Sequence, residues 1–458
     1  MNRFDMKKLT FLIALLLLGT DVILAQVSKG DVLIKNGTVI TITDGTLENT
    51  DVLVEDGKIS RIGRSLRTPN GVTEVDATGK YVMPGIIDAH SHIAGTSINE
   101  GTSQVTAEVQ MGDVVDPLDL SIYRALAGGV TSIHLLHGSA NVIGGESETL
   151  KLRYGVTDPQ DMMFDGAPRT IKFALGENPT RGGRSRGIQP QSRMGVEAML
   201  RNSLREAQIY KKTWDAYRAD NSRRKIAPDY DRRMETLVDI LDGEVLVHCH
   251  SYRADEINML LNVFNDFGIE NLTFQHANEA YKVAPELAEF GAGASVFSDW
   301  WAYKLEVYYS TAYNAAILTR NGVTTSINSD SGELIRHLFH EAAKSQKYGG
   351  LSDEEALALI TLNPAKQLGI DNRVGSIEEG KDGDIAIFEG HPLSVYSIPV
   401  MTFVDGVKYF DRETDADDQR LYVDPESTIE EVQIFEADEQ HKCMQDAEII
   451  NLYEFLNN

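Results

Sequence analysis

From Pro84 to Asp330 the chain repeats one unit: an apolar run of strand length that ends in polar, chemistry-bearing residues, then a stretch with helical spacing. The strand candidates are residues 86–90, 131–137, 170–176, 244–250, 272–276, 294–297 and 324–330, and residues 118–127, 254–267 and 284–290 read as helices between them. Strands buried on both faces show such apolar runs, and parallel neighbours need crossovers of helix length. The pattern excludes a helical bundle or an antiparallel sandwich here and leaves a parallel barrel or a doubly wound sheet. Imidazoles and carboxylates collect at the C-terminal ends of the runs, where a (β/α)8 barrel builds its active site. The expected fold class is α/β, with a (β/α)8 TIM-type barrel over residues 83–364.

The flanks read differently. Residues 26–82 hold short β-rich runs with hairpin signals at Asn36-Gly37 and Asp56-Gly57, and residues 365–412 return to that character around Asp405-Gly406. The two stretches are expected to pair as one discontinuous small β-sandwich domain. Residues 181–233 form a basic helical insertion with its helix at 194–219. A solvated surface helix accounts for it more simply than a cap that draws in an anionic substrate. Gly144, Gly145 and Glu146 are placed in a loop that shapes the pocket. Residues 413–458 read as an acidic C-terminal tail with no chemistry assigned.

Residues 1–25 have the parts of a secretory signal peptide: Arg3, Lys7 and Lys8, an apolar core at 9–18, and Ala25 before the cut. That core is shorter than the roughly 20 residues a membrane span needs. Export to the periplasm or the medium is expected, with no stable membrane insertion after cleavage; an uncleaved anchor is the alternative. Two cysteines, Cys249 and Cys443, make no disulfide framework. A net charge of −26 argues against nucleic acid as a partner, because phosphate binding needs a basic footprint. A small molecule is the expected substrate, and assembly into a homo-oligomer is left open.

His90 and His92 lie two apart, so a strand presents both imidazoles on one face. Neutral imidazole is the commonest ligand of zinc-like metals. A lone His-x-His is as often structural, but here His248, His250, His276 and Asp330 end further strands, and a barrel converges those ends on one point. In residues 170–176, apolar Ile171, Phe173 and Leu175 alternate with Lys172, which then faces the lumen. A buried lysine is costly unless neutralised or paired. Carboxylation by carbon dioxide turns it into an anion able to bridge two cations; an ion pair with Asp330 or Glu177 is the plainer alternative. Glu177, at the mouth of the same strand, is a rival bridging group. The expected cofactor is one or two divalent metal ions, zinc first.

These residues sit in stretches that resemble the amidohydrolase superfamily: P-G-I-I-D-A-H-S-H at 84–92, I-K-F-A-L-G-E-N-P at 171–179, V-H-C-H-S-Y-R-A-D-E-I at 247–257, F-Q-H-A at 274–277, I-N-S-D-S at 327–331, L-N-P-A at 362–365 and G-S-I-E-E-G-K-D-G-D at 375–384. The resemblance covers about residues 30–410 and is greatest to the bacterial imidazolonepropionase-related, dipeptidase-like branch. It implies a distorted (β/α)8 barrel with the discontinuous β-sandwich. It also implies His90 and His92 on a buried metal, a carboxylated Lys172 bridging to a second metal held by His276, and Asp330 as ligand and catalytic general base. On the fifth strand it favours His248 as the ligand, with His250, of the same parity and nearer the mouth, as alternative ligand or substrate contact. The turn at Glu177 departs from the lysine-type pattern and leaves the bridging group and the metal count open.

The activity so implied is that of an exported hydrolase in which metal-activated hydroxide cleaves a non-peptide or cyclic amide C–N bond. Two other readings stand beside it. One is a metallo-dipeptidase or carboxypeptidase acting on dipeptides or N-acyl amino acids, with Arg253 clamping a carboxylate unless Asp255 or Glu256 holds it. The other is a non-catalytic metal-binding barrel protein. His134 reads as a core histidine, and Tyr252, His137, Trp300, Trp301 and Lys304 are weaker candidates for the mouth.

Overall fold

The computed structural model describes residues 29–421 apart from 223, 302, 303 and 417. The expected leader at 1–25, Cys443 and most of the acidic tail lie outside the described residues. Among the described residues no helix is long and apolar enough to cross a membrane.

Two eight-stranded sheets carry the fold. The first contains β1 (Val32–Ile40), β2 (Thr46–Glu55), β3 (Lys58–Gly63), β4 (Thr73–Asp76), β5 (Tyr81–Pro84), β14 (Ile385–Glu389), β15 (Ile398–Val404) and β16 (Val407–Asp411). Its order is β16-β15-β14-β5-β1-β2-β3, with β4 beside β1. The two flanks of the chain meet where β5 runs antiparallel to β14, Pro84 opposite Ile385 and Tyr81 opposite Phe388. The discontinuous β-module therefore forms, as one hydrogen-bonded sheet. Ile34, Val52, Val82, Ile385 and Phe403 gather in its core.

The second sheet contains β6 (Ile86–Ser91), β7 (Val130–Leu135), β8 (Ile143–Lys151), β9 (Arg169–Ala174), β10 (Val245–His250), β11 (Leu272–Gln275), β12 (Gly293–Val296) and β13 (Thr325–Ile327), neighbours in chain order. It curls into a nearly closed barrel. At the seam between β13 and β6, the Asp330 amide donates to the His90 carbonyl at 3.1 Å, and the Ser329 amide to the Asp88 carboxylate at 3.1 Å. Every residue of β6 and β7 is buried, the polar Asp88, His90, Ser91, Thr131, Ser132 and His134 among them.

One strand departs from the expected β–α repeat. β8 runs antiparallel to both β7 and β9, and residues 136–142 join it to β7 without a helix. The loop expected at residues 144–146 is corrected accordingly: all three lie within β8. The stretch IGGESETLK has neither an apolar run nor strict alternation, so nothing local marks it as a strand. Its glycines answer a packing need. A Cβ on Gly144 would lie 2.8 Å from His137 Nδ1, and one on Gly145 2.6 Å from Val109 Cγ2.

The basic insertion is largely helical. Its long helix, Arg193–Ala219, buries Val196, Leu200, Leu204 and Ala207 at three- and four-residue spacing. That stripe packs on the helices Arg232–Leu241 and Ala254–Phe267. Much of its charge is met by neighbours: Arg193 bridges Glu256 and Glu306, and Arg201 reaches Asp266.

Candidate active site

The barrel strands place the ionisable residues in register. β6 carries His90, and His92 follows just past its end. On the facing pair, Lys172 of β9 lies opposite His248 of β10, and Ala174 opposite His250, so His250 stands nearer the C-terminal mouth. Successive strand residues leave opposite faces, yet Gln275 and His276 both reach the lumen cluster. His276 leaves β11 with φ of 58°, and Asp330 follows β13 with φ of 45°. Both are in the left-handed region, which is uncommon outside glycine but which Asp and His enter more readily than most residues.

Ring nitrogens converge on the Asp330 carboxylate. Its Oδ1 lies 3.3 Å from His92 Nε2 and 3.6 Å from His90 Nε2, and its Oδ2 lies 3.4 Å from His276 Nε2. Lys172 Nζ approaches the same point, 3.2 Å from His90 Nε2. Each of the three rings points its other nitrogen at an oxygen. His90 Nδ1 is 3.1 Å from Gln275 Oε1, His92 Nδ1 is 3.0 Å from the Leu136 carbonyl, and His276 Nδ1 is 3.1 Å from Asn328 Oδ1. An oxygen on Nδ1 fixes the proton there and turns the Nε2 lone pair inward, the usual second layer around a metal-binding histidine.

The donors fit a divalent cation. Ligand atoms of His90, His276 and Asp330 lie within 4.8 Å of one another. His276 Nε2 and both nitrogens of His250 are buried with no hydrogen-bond partner among the described residues, although buried polar atoms normally find one. Imidazole and carboxylate together are the donor set of zinc-like metals. The electrostatics agree. Burial drives His90 and His250 well below the ordinary imidazole range and His276 to about 3, so all three rings are neutral, as ligation requires. Burial alone would raise Asp330, but His276, His92 and Lys172 outweigh it and hold that carboxyl down at about 2. Asp88, fully buried beneath the seam, goes the other way. Desolvation pushes it to about 7 against the hydrogen bonds it accepts from Ser329 and His90.

The remaining candidates divide. His248 is fully buried beside the ring of His134, with Nδ1 2.9 Å from Gln275 Nε2, while the His250 ring lies 5.1 Å from that of His276. Glu177 pairs with Lys304 at 3.1 Å and Arg181 at 3.4 Å. Arg253 is half-exposed and its guanidinium is taken by Asp255 at 2.9 and 3.0 Å. His134 is a core residue bonded to Thr170, and His137 bonds the Gly138 carbonyl and the Glu100 amide. Trp300 stacks on Phe297, which stacks on His276, while Trp301 is exposed. The residues that sequence reasoning missed are the second layer, Gln275, Asn328 and Asp88. Each adjoins or nearly adjoins a ligand candidate in sequence, which was the one available signal.

Comparison with known proteins supplies the family. The amidohydrolase family model matches residues 232–412. The chain is 33% identical over 393 residues to amidohydrolase tasK of Hapsidospora irregularis, a match covering 79% of this chain and 40% of that protein, so the chain spans well under half the length of this relative. It is 24% identical over 368 residues to an imidazolonepropionase of Thermoplasma volcanium, covering 75% of this chain and 84% of that one. The solved structure of an amidohydrolase from Thermotoga maritima MSB8 superposes with a TM-score of 0.77 at 34% identity, covering 83% of this chain and all of that one. Together with the barrel and its histidine–aspartate cluster, these matches show that the chain belongs to the amidohydrolase family.

Proposed function

We propose that this protein is a metal-dependent hydrolase that opens the C–N bond of a cyclic amide. The observation that carries the reading is the convergence of the His90, His92 and His276 Nε2 nitrogens on Asp330, each ring held from behind by an oxygen. A divalent cation, zinc first, would supply Lewis acidity there, the chemistry that brings a water close to ionisation at neutral pH. His90, His92, His276, Asp330 and a β10 histidine would hold it. Lys172, its Nζ against His90, would bridge to a second cation once carboxylated; Glu177 is less suited because Lys304 and Arg181 occupy it.

Asp330 does the proton work. It is ionised at neutral pH, accepts a proton from the attacking water, and returns it to the leaving nitrogen. The choice of a cyclic amide is supported by the Thermoplasma volcanium relative, whose name gives an imidazolone ring as its substrate. The peptidase alternative loses its clamp, because Arg253 is already paired with Asp255. Export is part of the proposal, with a mature chain expected to begin at Gln26.

The test is a substrate screen of the zinc-loaded full chain over imidazolones, hydantoins and dihydropyrimidines, beside dipeptides and N-acyl amino acids. Turnover of a ring amide is expected. Asp330→Asn should lower it by about 10²–10⁴. Turnover confined to dipeptides would overturn the reading, as would an Asp330→Asn variant of undiminished activity.

A further inference from the structure

The chain leaving the C-terminal end of β12 builds a cleft at the rim of the barrel. Asp299, Trp301 and the turn that carries Tyr308 and Tyr313 face Tyr348, near the end of the helix Leu338–Gly349, across a volume of about 520 Å³. That is within the range of small-molecule pockets. None of the metal-ligand candidates lines it. Four of its walls are aromatic, Trp301, Tyr308, Tyr313 and Tyr348, and each is at least half exposed. Rings of this size carry a large apolar area, and here they surround one cavity and are left in water. The cleft is pre-formed. Asn278, just past β11, donates from Nδ2 to Ser310 Oγ at 2.6 Å and to the Trp300 carbonyl at 3.4 Å. The Tyr281 hydroxyl donates to the Tyr309 carbonyl at 3.0 Å. Lys344 and Ser298 hold Oδ1 of Asp299 at 3.0 and 3.2 Å, which leaves Oδ2 to accept from a ligand.

The charges around the cleft narrow the ligand. Asp299 is already matched by Lys344. Two more ammonium groups stand close by, Lys347 at 5.8 Å from the centre of the Tyr348 ring and Lys282 at 4.2 Å from that of Tyr309. A quaternary ammonium, the usual guest of an aromatic cage, would meet these cations, and an anion would meet the Asp299 carboxylate. The lining suits an uncharged molecule with apolar faces to lie on the rings and hydroxyl edges for Asp299 Oδ2 and the Ser310 hydroxyl. A sugar ring has both, since its C–H face is apolar and its hydroxyls stand around the edge. We propose that this rim cleft is a binding site for a neutral saccharide, stacked on Trp301 and the three tyrosines and hydrogen-bonded to Asp299. Because the rings are held in place before the ligand arrives, little ordering cost is left to oppose binding.

The proposal stands apart from the hydrolase reading and is tested by binding alone. The full chain is titrated calorimetrically with maltotriose, cellotriose and chitotriose, and saturation-transfer NMR is recorded on each sugar. At least one of the three should bind saturably, with transfer from aromatic protein protons to sugar C–H protons. Trp301→Ala and Tyr313→Ala should each weaken that binding by about 10-fold, and Asp299→Asn by a comparable factor. Both rings are exposed, so the two alanine variants should keep the wild-type melting temperature. Asp330→Asn should bind the sugar as the wild type does, because the cleft lies outside the metal cluster. Binding of the soluble sugars alone identifies a free oligosaccharide as the ligand, and retention on cellulose or chitin beads as well identifies a polymer end; either supports the site. No saturable binding of any of the three, or an affinity indifferent to both ring substitutions, would overturn the proposal. So would tighter binding of tetramethylammonium or adenosine, which would make the cleft a cation cage or a base-stacking site. Sugar binding lost in Asp330→Asn would place the sugar in the barrel lumen and also count against it. A wild-type dimer that dissociates in Trp301→Ala, read by sedimentation, would mean that a second copy covers these rings, and the saccharide site would fall.

Discussion

Individual protonation states carry the site. Burial holds His276 and His248 at about 3 and keeps His90 and His250 well below their ordinary value. An unfolded histidine titrates near 6.5. Above that pH neither state holds a proton on these rings. Below it the unfolded chain takes up protons that the folded one refuses until the pH nears 3, so stability must fall as pH drops through that window. Each such ring contributes about 1.4 kcal/mol per pH unit. Thermal unfolding of the metal-free protein between pH 7.5 and 4 should show a steady fall in melting temperature, shallower in His276→Gln; a flat profile would contradict buried neutral rings. Lys172 gives a second check at this scale. Exposure to ¹³C-bicarbonate should yield a carbamate resonance in the zinc-loaded protein that is missing in Lys172→Ala. His90, His92, Lys172, His276 and Asp330 were legible in the sequence because strand parity and strand ends are local properties. Gln275 and Asn328 were not, because what they do depends on rings from other strands that only the closed barrel brings alongside.

Among the elements, the parallel strands announced themselves by apolar runs of the right length, and β8 did not. Its polar, glycine-bearing sequence is tolerated because Gly144 and Gly145 let His137 and Val109 approach the backbone, while β7 and β9 supply hydrogen bonds from both sides. Tertiary pairing, not local preference, makes this strand. Gly145→Ala should therefore cost about 1–3 kcal/mol through overpacking against Val109, read as a lowered denaturation midpoint with an unchanged denaturant slope. An unaltered midpoint would mean that the neighbouring segment gives way. The positive φ values of His276 and Asp330 belong to the same class of hidden detail. The residue types at the strand ends were visible in sequence, whereas the backbone turn that aims them inward was not.

Taken whole, the molecule joins its two sheets through a buried ionic cluster that no motif foretold. Lys151, at the end of barrel strand β8, places Nζ 2.8 Å from Asp382, 3.1 Å from Asp384 and 2.5 Å from Asp405, all carried by the C-terminal flank of the outer sheet. Arg153 holds the other oxygen of Asp405, and Arg373 and Lys58 hold Asp382. The cluster ties the two sheets together beneath the strand that departs from the β–α repeat. Removing its central cation leaves the buried Asp384 carboxylate without a cation, a loss of about 3–5 kcal/mol for a buried pair. Lys151→Met should be destabilised by about that much at pH 7.5 in chemical denaturation. The pH dependence fixes the cause. Asp384 already sits near 6 with Lys151 in place, because desolvation outweighs the lysine. Without the lysine its folded value rises further above the unfolded one, so the folded variant binds the extra proton and regains stability as pH falls. The gap between wild type and Lys151→Met should narrow from pH 7.5 to pH 5. A constant gap would mean that the loss is one of packing, and that the lysine's charge is not what holds the outer sheet to the barrel.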